Sequence, residues 1–191
     1  MGREATAETI AELQPDVVVI ATGALPCIPE VPGIESHIVT TASSALLGMC
    51  EVGEKVVVIG GGMIGCEIAL HLAQQGKQVT IIEILSDVGI NIGFGDKLAL
   101  LRLLSENKVN WYTDITPEEI TGEGVIAAGI DGKRMTFRAD TVVLAAGMEA
   151  DDKLYRELKG EFTEIYKVGD AREARKIINA IHEGDFVAGE I

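Results

Sequence analysis

The sequence predicts an α/β fold with a parallel sheet, helices on both faces of that sheet, and an antiparallel β-meander. The first observation is that strand-like and helix-like segments alternate between Lys55 and Tyr112, as they do when crossover helices join parallel strands. The second is that several strand-like runs are continuously apolar, which is typical of strands buried on both faces. The third is a series of short alternating runs from Ile115 to Arg138, separated by glycine turns, which indicates the meander.

The segments before residue 55 are short and interrupted by proline. The predicted elements there are, in chain order, a helix at 5–13, a strand at 16–23, a strand at 38–40 and a helix at 42–49. Thr41 is a candidate N-cap of the second helix. Pro26, Pro29 and Pro32 predict an extended connector, because proline fixes φ and disfavours helix in the residue before it.

The segments after residue 55 follow the strand and helix periodicities closely. The predicted strands lie at 56–59, 78–84, 109–112, 141–147 and 165–168, and the predicted helices at 63–75, 96–107, 154–158 and 175–188. Gly122, Gly124 and Gly132 lie in the turns of the meander. This order predicts a central βαβ unit with a right-handed crossover.

One glycine pattern carries more chemistry than any other part of the chain. The apolar run ending at Ile59 leads into Gly60, Gly62 and Gly65, a helix-like segment and a second strand-like run that ends at Glu83. The first glycine permits a sharp turn, the second lets a pyrophosphate approach the backbone, and the third lets the helix pack closely on the sheet. Strand, glycine turn, helix, strand and acid together predict a Rossmann-like dinucleotide-binding unit.

The same unit predicts which dinucleotide is bound. The helix begins at Met63 and Ile64, where unpaired N–H groups and the positive end of the helix dipole favour phosphate. Glu83 lies 23 residues after Gly60, where a carboxylate accepts hydrogen bonds from ribose hydroxyls. None of residues 84–87 is basic, so nothing local favours a 2′-phosphate. The pattern therefore favours NAD(H) over NADP(H).

Composition excludes several classes of partner. The 191 residues carry a net charge of −14, and no basic patch is visible, which argues against nucleic acid and anionic membrane as partners. The three cysteines are widely spaced and form no CxxC pair, so we expect free thiols in a reducing, cytoplasmic compartment. No pair of histidines has metal-ligand spacing, and we expect no metal site in this chain.

Other motifs resemble those of one superfamily. DVVVIATGALPCIPEVPG resembles the ATG-and-proline connector of flavoproteins with two dinucleotide-binding domains, the pyridine nucleotide-disulfide oxidoreductase superfamily. VVLAAG resembles its counterpart in their NAD domain, and EIYKVGDA resembles their late glycine–aspartate motif. The closing segment Arg175-Lys176-Ile177, followed by AIHEG, is similar to the NADH:flavin oxidoreductases of the 2-enoate reductase, dienoyl-CoA reductase and trimethylamine dehydrogenase type. The resemblance spans essentially the whole chain.

The resemblance adds site residues to those that the glycine pattern gives. Together they predict an NAD site made of Gly60, Gly62, Met63, Ile64, Gly65, Glu67, Glu83, Ala146 and Gly147. The resemblance implies an FAD site in the parent enzyme that includes Ala21, Thr22, Gly23, Gly169, Asp170, Lys176 and Ile177. Glu67 would lie near the nicotinamide, although it also fits an ordinary helix glutamate. We name no catalytic residue, because hydride transfer from nicotinamide to flavin needs no protein acid or base.

The resemblance also implies what surrounds this chain. Members of the family open with an FAD fingerprint that is absent here, so we expect a fragment that begins inside a longer polypeptide. We expect residues 1–52 and 151–191 to be parts of a split FAD-binding domain, and residues 53–150 to be the NAD(P)-binding domain. FMN and an iron–sulfur cluster are expected in a preceding barrel that would reduce an activated alkene. The remainder of the parent polypeptide is thus an expected partner, and exposed sheet edges suggest a homodimer.

Two other functions stay open at this stage. The chain could be a fragment of a disulfide-reductase or NADH oxidase relative, which shares the same two-domain frame. It could also be a non-catalytic NAD(H)-binding module. A cysteine pair near the flavin would favour the disulfide reductase.

Overall fold

The computed structural model describes residues 2–90 and 92–191. Its contacts divide the chain into two compact units, one combining the chain up to Leu25 with Met148–Ile191 and the other formed by Pro26–Gly147. The strands, numbered in chain order, are β1 (Val17–Ile20), β2 (Ala24–Pro26), β3 (Val39–Thr41), β4 (Lys55–Ile59), β5 (Gln78–Ile82), β6 (Asn110–Tyr112), β7 (Ile115–Thr121), β8 (Gly124–Gly129), β9 (Arg134–Arg138), β10 (Thr141–Leu144), β11 (Met148–Ala150) and β12 (Glu164–Lys167). The helices are α1 (Ala7–Leu13), α2 (Ala42–Leu46), α3 (Met63–Gln74), α4 (Phe94–Glu106), α5 (Lys153–Leu158) and α6 (Ile177–Glu190).

The Pro26–Gly147 unit is built on a five-stranded sheet in the order β3-β10-β4-β5-β6. Every neighbouring pair in this sheet is parallel. The central strand β4 pairs Ile59 with Ile82 on one side and with Leu144 on the other. The carboxyl ends of β4, β5 and β10 therefore meet at one edge of the sheet, where open α/β sheets bind their ligands.

The two faces of this sheet are covered differently. Val56 and Val58 pack into a core with α2, α3 and α4, whereas Val57 and Ile59 pack into a second core with the meander β7–β9. Successive strand residues point to opposite faces, so β4 contributes equally to both cores. The predicted fold class is confirmed, with one correction. Among the described residues of this unit the helices pack on one face, and the antiparallel meander covers the other.

The other unit contains two small sheets. The parallel pair β1–β12 packs Val18 and Ile20 into a core with Leu158 and Ala171. A second pair, β2 and β11, was not predicted. Each of these strands follows a glycine of positive φ, Gly23 or Gly147. Because each is only three residues long, neither shows the alternation of apolar and polar residues that predicts a strand. The homodimer that we predicted through exposed sheet edges of the FAD-binding parts stays a prediction.

The compact units and the predicted domains divide the chain at different places. Residues 26–52, which we assigned to the FAD-binding part, contribute β3 to the five-stranded sheet and α2 to its helical core. The second boundary, between Gly147 and Met148, lies close to the predicted one at 150. The assignment of each segment to NAD or FAD stays a prediction.

Each of the six helices has at least one end that lies one to three residues from its predicted position. Helix α2 ends at Leu46 rather than Met49, and α6 begins at Ile177 rather than Arg175. The N–H of Arg175 donates to Asp170 Oδ1 at 3.1 Å, so that backbone group is held by the preceding turn rather than by the helix. Within residues 2–90 and 92–191, no helix combines the length and apolarity needed to cross a bilayer.

Candidate functional site

The glycine turn lies at the carboxyl end of β4 and is crowded on its inner side. Gly60 has φ of 107°, and a Cβ there would lie 2.3 Å from the carbonyl oxygen of Ala145. A Cβ on Gly65 would lie 1.9 Å from the carbonyl oxygen of Gly60. Both distances are far below van der Waals contact with backbone atoms, so glycine is required at each position. The roles predicted for these two glycines, a sharp turn and close packing of helix on sheet, agree with this geometry.

The outer side of the turn is open. Gly62 is the N-cap of α3, and a Cβ there would meet no heavy atom within 4 Å. Met63 and Ile64 are the first helical residues, and their N–H groups belong to the set that has no partner inside a helix. The turn thus presents backbone donors and the positive end of the helix dipole to open space, as a phosphate site requires.

Glu83 is buried beside this turn, directly after β5. The residue is 8% exposed. Oε2 accepts the N–H of Gly61 at 2.5 Å, and Oε1 accepts the N–H of Leu85 at 2.8 Å. The carboxylate therefore joins the end of β5 to the glycine turn. Sequence reasoning found Glu83 by its spacing but missed Gly61 and Leu85, whose contribution is a backbone N–H that any residue could supply.

The carbonyl of Gly61 is hydrogen-bonded, as its N–H is. It accepts the N–H of Gly89 at 2.7 Å and the thiol of Cys66 at 3.3 Å. Cys66 is 1% exposed, and burial raises the pKa of its thiol to about 11, so the group is a protonated donor at neutral pH. A thiol in this state is a poor nucleophile, which agrees with the prediction that Cys66 packs rather than reacts.

The remaining residues of the predicted NAD site lie on either side of the turn. Ala146 and Gly147 follow β10, whose register places them next to Gly60, and both are exposed. The carbonyl of Gly147 accepts the N–H of Cys27 at 2.9 Å. Glu67 is exposed on α3, one turn after Met63. Its predicted position near a nicotinamide stays a prediction.

The predicted FAD residues come together in the other unit. Strands β1 and β12 run parallel, and the N–H of Val168 donates to the carbonyl of Ile20 at 3.0 Å, so the turns that follow the two strands are neighbours. These turns carry Ala21, Thr22, Gly23, Gly169 and Asp170. The hydroxyl of Thr22 donates to the carbonyl of Asp151, whose N–H donates to the carbonyl of Gly23 at 3.0 Å. Lys176 and Ile177 lie at the start of α6, and Ile177 is 80% exposed.

A glutamate that sequence reasoning missed fixes the glycine–aspartate turn to α6. Glu183 accepts the N–H of Gly169 at 2.8 Å and pairs with the guanidinium of Arg175. Arg172 approaches the same carboxylate at 3.5 Å. The hydrogen bond from Arg175 holds the pKa of Glu183 below its usual value, and the same contact raises the pKa of Arg175. Glu183 lies 14 residues from Gly169, too far for a local pattern to reveal the contact.

The lowered pKa of Glu183 predicts an acid-sensitive contribution to stability. Because the carboxylate is stabilised in the folded state, its contribution is present above the unfolded pKa of about 4.5 and is lost as pH falls through the lower folded value. We expect Glu183→Gln to lower the free energy of unfolding at pH 7, with the difference from wild type shrinking towards pH 3. Urea denaturation at both pH values measures it. Glu190→Gln, at an exposed position of the same helix, is the control, and a difference that does not change with pH would contradict the expectation.

The part of the chain that the structure describes contains no group of three or more histidine, cysteine, aspartate or glutamate residues arranged to hold a metal ion. All three cysteines are free thiols, and Cys66 is the buried one.

Comparison with known proteins shows the family of this chain. The family model described as pyridine nucleotide-disulphide oxidoreductase matches residues 3–184. An NADH oxidase of Thermoanaerobacter brockii is 38% identical over 195 residues, covering 100% of this chain and 30% of that protein. A cinnamate reductase of Clostridium sporogenes is 34% identical, covering 98% of this chain and 28% of that protein.

A solved structure agrees with the sequence relatives. A complex of 2-naphthoyl-CoA reductase with 2-naphthoyl-CoA matches with a TM-score of 0.93 and 38% identity, covering 100% of this chain and 29% of that one. The chain therefore spans less than a third of the length of these relatives. The residues that the family model matches include the glycine turn, the Ala145–Gly147 turn and the late glycine–aspartate turn. The chain belongs to the pyridine nucleotide-disulphide oxidoreductase family.

Proposed function

We propose that this chain is the NADH-binding part of a flavin-dependent oxidoreductase, in which hydride passes from NADH to FAD. The observation that carries the proposal is the buried Glu83 carboxylate, which is hydrogen-bonded to the glycine turn at the carboxyl edge of the sheet. An acid in this place both fixes the turn and offers acceptors to a ribose. The family membership supports the same reading.

The residues present fit a dinucleotide. The outward N–H groups at Gly62, Met63 and Ile64 would hold the pyrophosphate, and open space at Gly62 permits its approach. Each oxygen of Glu83 accepts one backbone N–H, and a carboxylate oxygen has a second lone pair for a ribose hydroxyl. A 2′-phosphate would meet this carboxylate at close range, which supports NADH over NADPH.

The other unit fits part of an FAD site. Asp170 Oδ1 accepts the N–H of Arg175, whereas Oδ2 has no hydrogen-bond partner among the described residues and can accept a ribityl hydroxyl. Gly169 is held by Glu183, so the turn carrying Asp170 is fixed in position. Ala21, Thr22 and Gly23 would complete this side of the site, and Lys176 and Ile177 at the start of α6 would face the flavin.

The chemistry belongs to the cofactors, and the protein binds and orients them. When bound, the nicotinamide supplies a hydride that the flavin accepts. This chain would anchor the pyrophosphate at the glycine turn, orient the ribose at Glu83 and present Ala146 and Gly147 beside the nicotinamide half. Glu67 on α3 would lie at the same end of the site.

Beyond this step, we propose that the parent passes electrons to an FMN-containing barrel with an iron–sulfur cluster that reduces an activated alkene. The relatives named cinnamate reductase and 2-naphthoyl-CoA reductase support this choice, because both names denote reduction of an unsaturated carboxylic acid derivative. A disulfide reductase would need a cysteine pair near the flavin, and Cys66 is not suited to that role, because it is buried and its pKa is raised. A non-catalytic NADH-binding module would share the first step and lack flavin reduction.

Titration with NADH and NADPH tests the proposal. We expect the chain to bind NADH more tightly than NADPH, and Glu83→Gln to weaken NADH about 10- to 100-fold, as expected for loss of a charged hydrogen bond to ribose. The same variant should reduce the preference for NADH over NADPH, because the repulsion of a 2′-phosphate is removed. Nicotinamide fluorescence measures both affinities.

Two further measurements complete this test. Glu123→Gln removes an exposed carboxylate from the same unit and should leave both affinities unchanged. In the whole protein, stopped-flow absorbance should show NADH bleaching the flavin band. Unchanged NADH affinity in Glu83→Gln would refute the ribose role, and a flavin that NADH does not reduce would favour the non-catalytic module.

A further inference from the structure

The peptide groups on either side of Gly61 are hydrogen-bonded to residues that lie outside the Gly60–Gly65 turn. The carbonyl of Gly61 accepts the N–H of Gly89 at 2.7 Å and the thiol of Cys66 at 3.3 Å. The N–H of Gly61 donates to Glu83 at 2.5 Å. All four residues lie in the Pro26–Gly147 unit, and Gly61, Cys66 and Glu83 are buried.

The direction of the Gly61 carbonyl fixes the direction of the Gly62 N–H, because both belong to one peptide group. A trans peptide is planar, and its N–H points opposite to its C=O. Because the carbonyl of Gly61 points inward to Cys66 and Gly89, the N–H of Gly62 points outward. This outer side is the open one, since a Cβ on Gly62 would meet nothing within 4 Å. The orientation of the Gly62 donor is therefore set by Cys66 and Gly89, which bind the carbonyl on the inner side of the turn.

We propose that Cys66 is a positioning residue for the pyrophosphate: its thiol, together with the N–H of Gly89, holds the Gly61 carbonyl inward so that the Gly62 N–H faces the ligand. The proposal rests on the proposed function and adds to it a role for a side chain that does not contact NADH. The thiol is suited to this role because it is protonated at neutral pH and 1% exposed, so water does not compete for the carbonyl.

The substitutions Cys66→Ala and Cys66→Ser separate positioning from packing. Serine keeps a donor at this position, and alanine removes it. Both lose sulfur from a tightly packed core and should lower the stability of the unit. We expect Cys66→Ala to weaken NADH about two- to fivefold, in line with the loss of one weak hydrogen bond, and Cys66→Ser to retain wild-type affinity. NADH affinity would then fall only in Cys66→Ala, which lacks the donor, whereas stability would fall in both variants, which lack the sulfur.

Cys50 supplies the matched control. It is a half-buried cysteine that packs against the same core and contacts Thr40 Oγ1 at 3.2 Å. Cys50→Ala should leave NADH affinity unchanged. Equal loss of affinity in Cys66→Ala, Cys66→Ser and Cys50→Ala, or no loss in Cys66→Ala, would overturn the proposal.

Amide hydrogen exchange tests the same contact without any ligand. In the free wild-type chain we expect the amides of Gly61 and Gly89 to exchange slowly and that of Gly62 to exchange fast. Cys66→Ala should speed exchange at Gly89 and Gly61, and Cys66→Ser should restore the protection. A protected Gly62 amide, or Gly89 exchange that is unchanged in Cys66→Ala, would refute the positioning role. A wild-type chain that shows this exchange pattern but does not bind NADH would count against the proposed function alone.

Discussion

Replacing Gly62 with alanine should weaken NADH binding at least about 30-fold, or about 2 kcal/mol, while the protein stays folded. Gly62 has φ of −67° and ψ of −171°, which alanine adopts without strain, and the new Cβ would meet no protein atom within 4 Å. The same methyl group would occupy the space through which a pyrophosphate approaches the backbone. The expected defect is therefore confined to binding.

Two measurements separate binding from folding in this variant. NADH fluorescence titration gives the affinity, and urea denaturation should give a free energy of unfolding within about 1 kcal/mol of wild type, because a poorer N-cap is offset by a less flexible unfolded chain. Gly95→Ala is the control, since Gly95 lies in the first turn of α4 in the same unit and a Cβ there would likewise meet no atom within 4 Å. If Gly62→Ala retained NADH affinity within about twofold, the glycine turn would not be the pyrophosphate site.

The part of the site that sequence predicted is the part whose chemistry depends on residue type. Gly60 and Gly65 are required by backbone atoms 2.3 and 1.9 Å from a would-be Cβ, and Glu83 is required as an acceptor. These requirements leave a fixed spacing that can be read along the chain. The donors from Gly61 and Gly89 are backbone N–H groups, which almost any residue type supplies, so the sequence does not reveal them.

Contacts between distant segments account for most of what sequence reasoning missed. Glu183 binds the N–H of Gly169 through a contact that no local period encodes. Residues 26–52 join the five-stranded sheet because β3 pairs with β10, about 100 residues further along the chain. The meander was predicted from its turns, yet its place over one face of the sheet depends on which apolar residues of β4 it covers.

Replacing Gly65 with alanine should destabilise the fold, unlike Gly62→Ala, because the new methyl group would clash with the protein itself. The new Cβ would lie 1.9 Å from the carbonyl oxygen of Gly60 and 2.9 Å from its carbonyl carbon, and neither backbone atom can move without shifting β4 or the glycine turn. Helix α3 would have to move away from the sheet, disturbing the core around Ile68 and Leu72, which are 0% and 1% exposed.

We expect Gly65→Ala to lower the free energy of unfolding by about 3 kcal/mol, the upper range for overpacking, and to weaken NADH binding at the same time. Urea denaturation and NADH titration on the same sample measure the two effects, again with Gly95→Ala as the control. Loss of affinity with unchanged stability would contradict the packing role and make Gly65 a binding residue like Gly62. Loss of both would show that the two glycines have different roles. Gly62 leaves room for the ligand, whereas Gly65 lets the helix pack close to the sheet, so that the helix N-terminus points at that ligand.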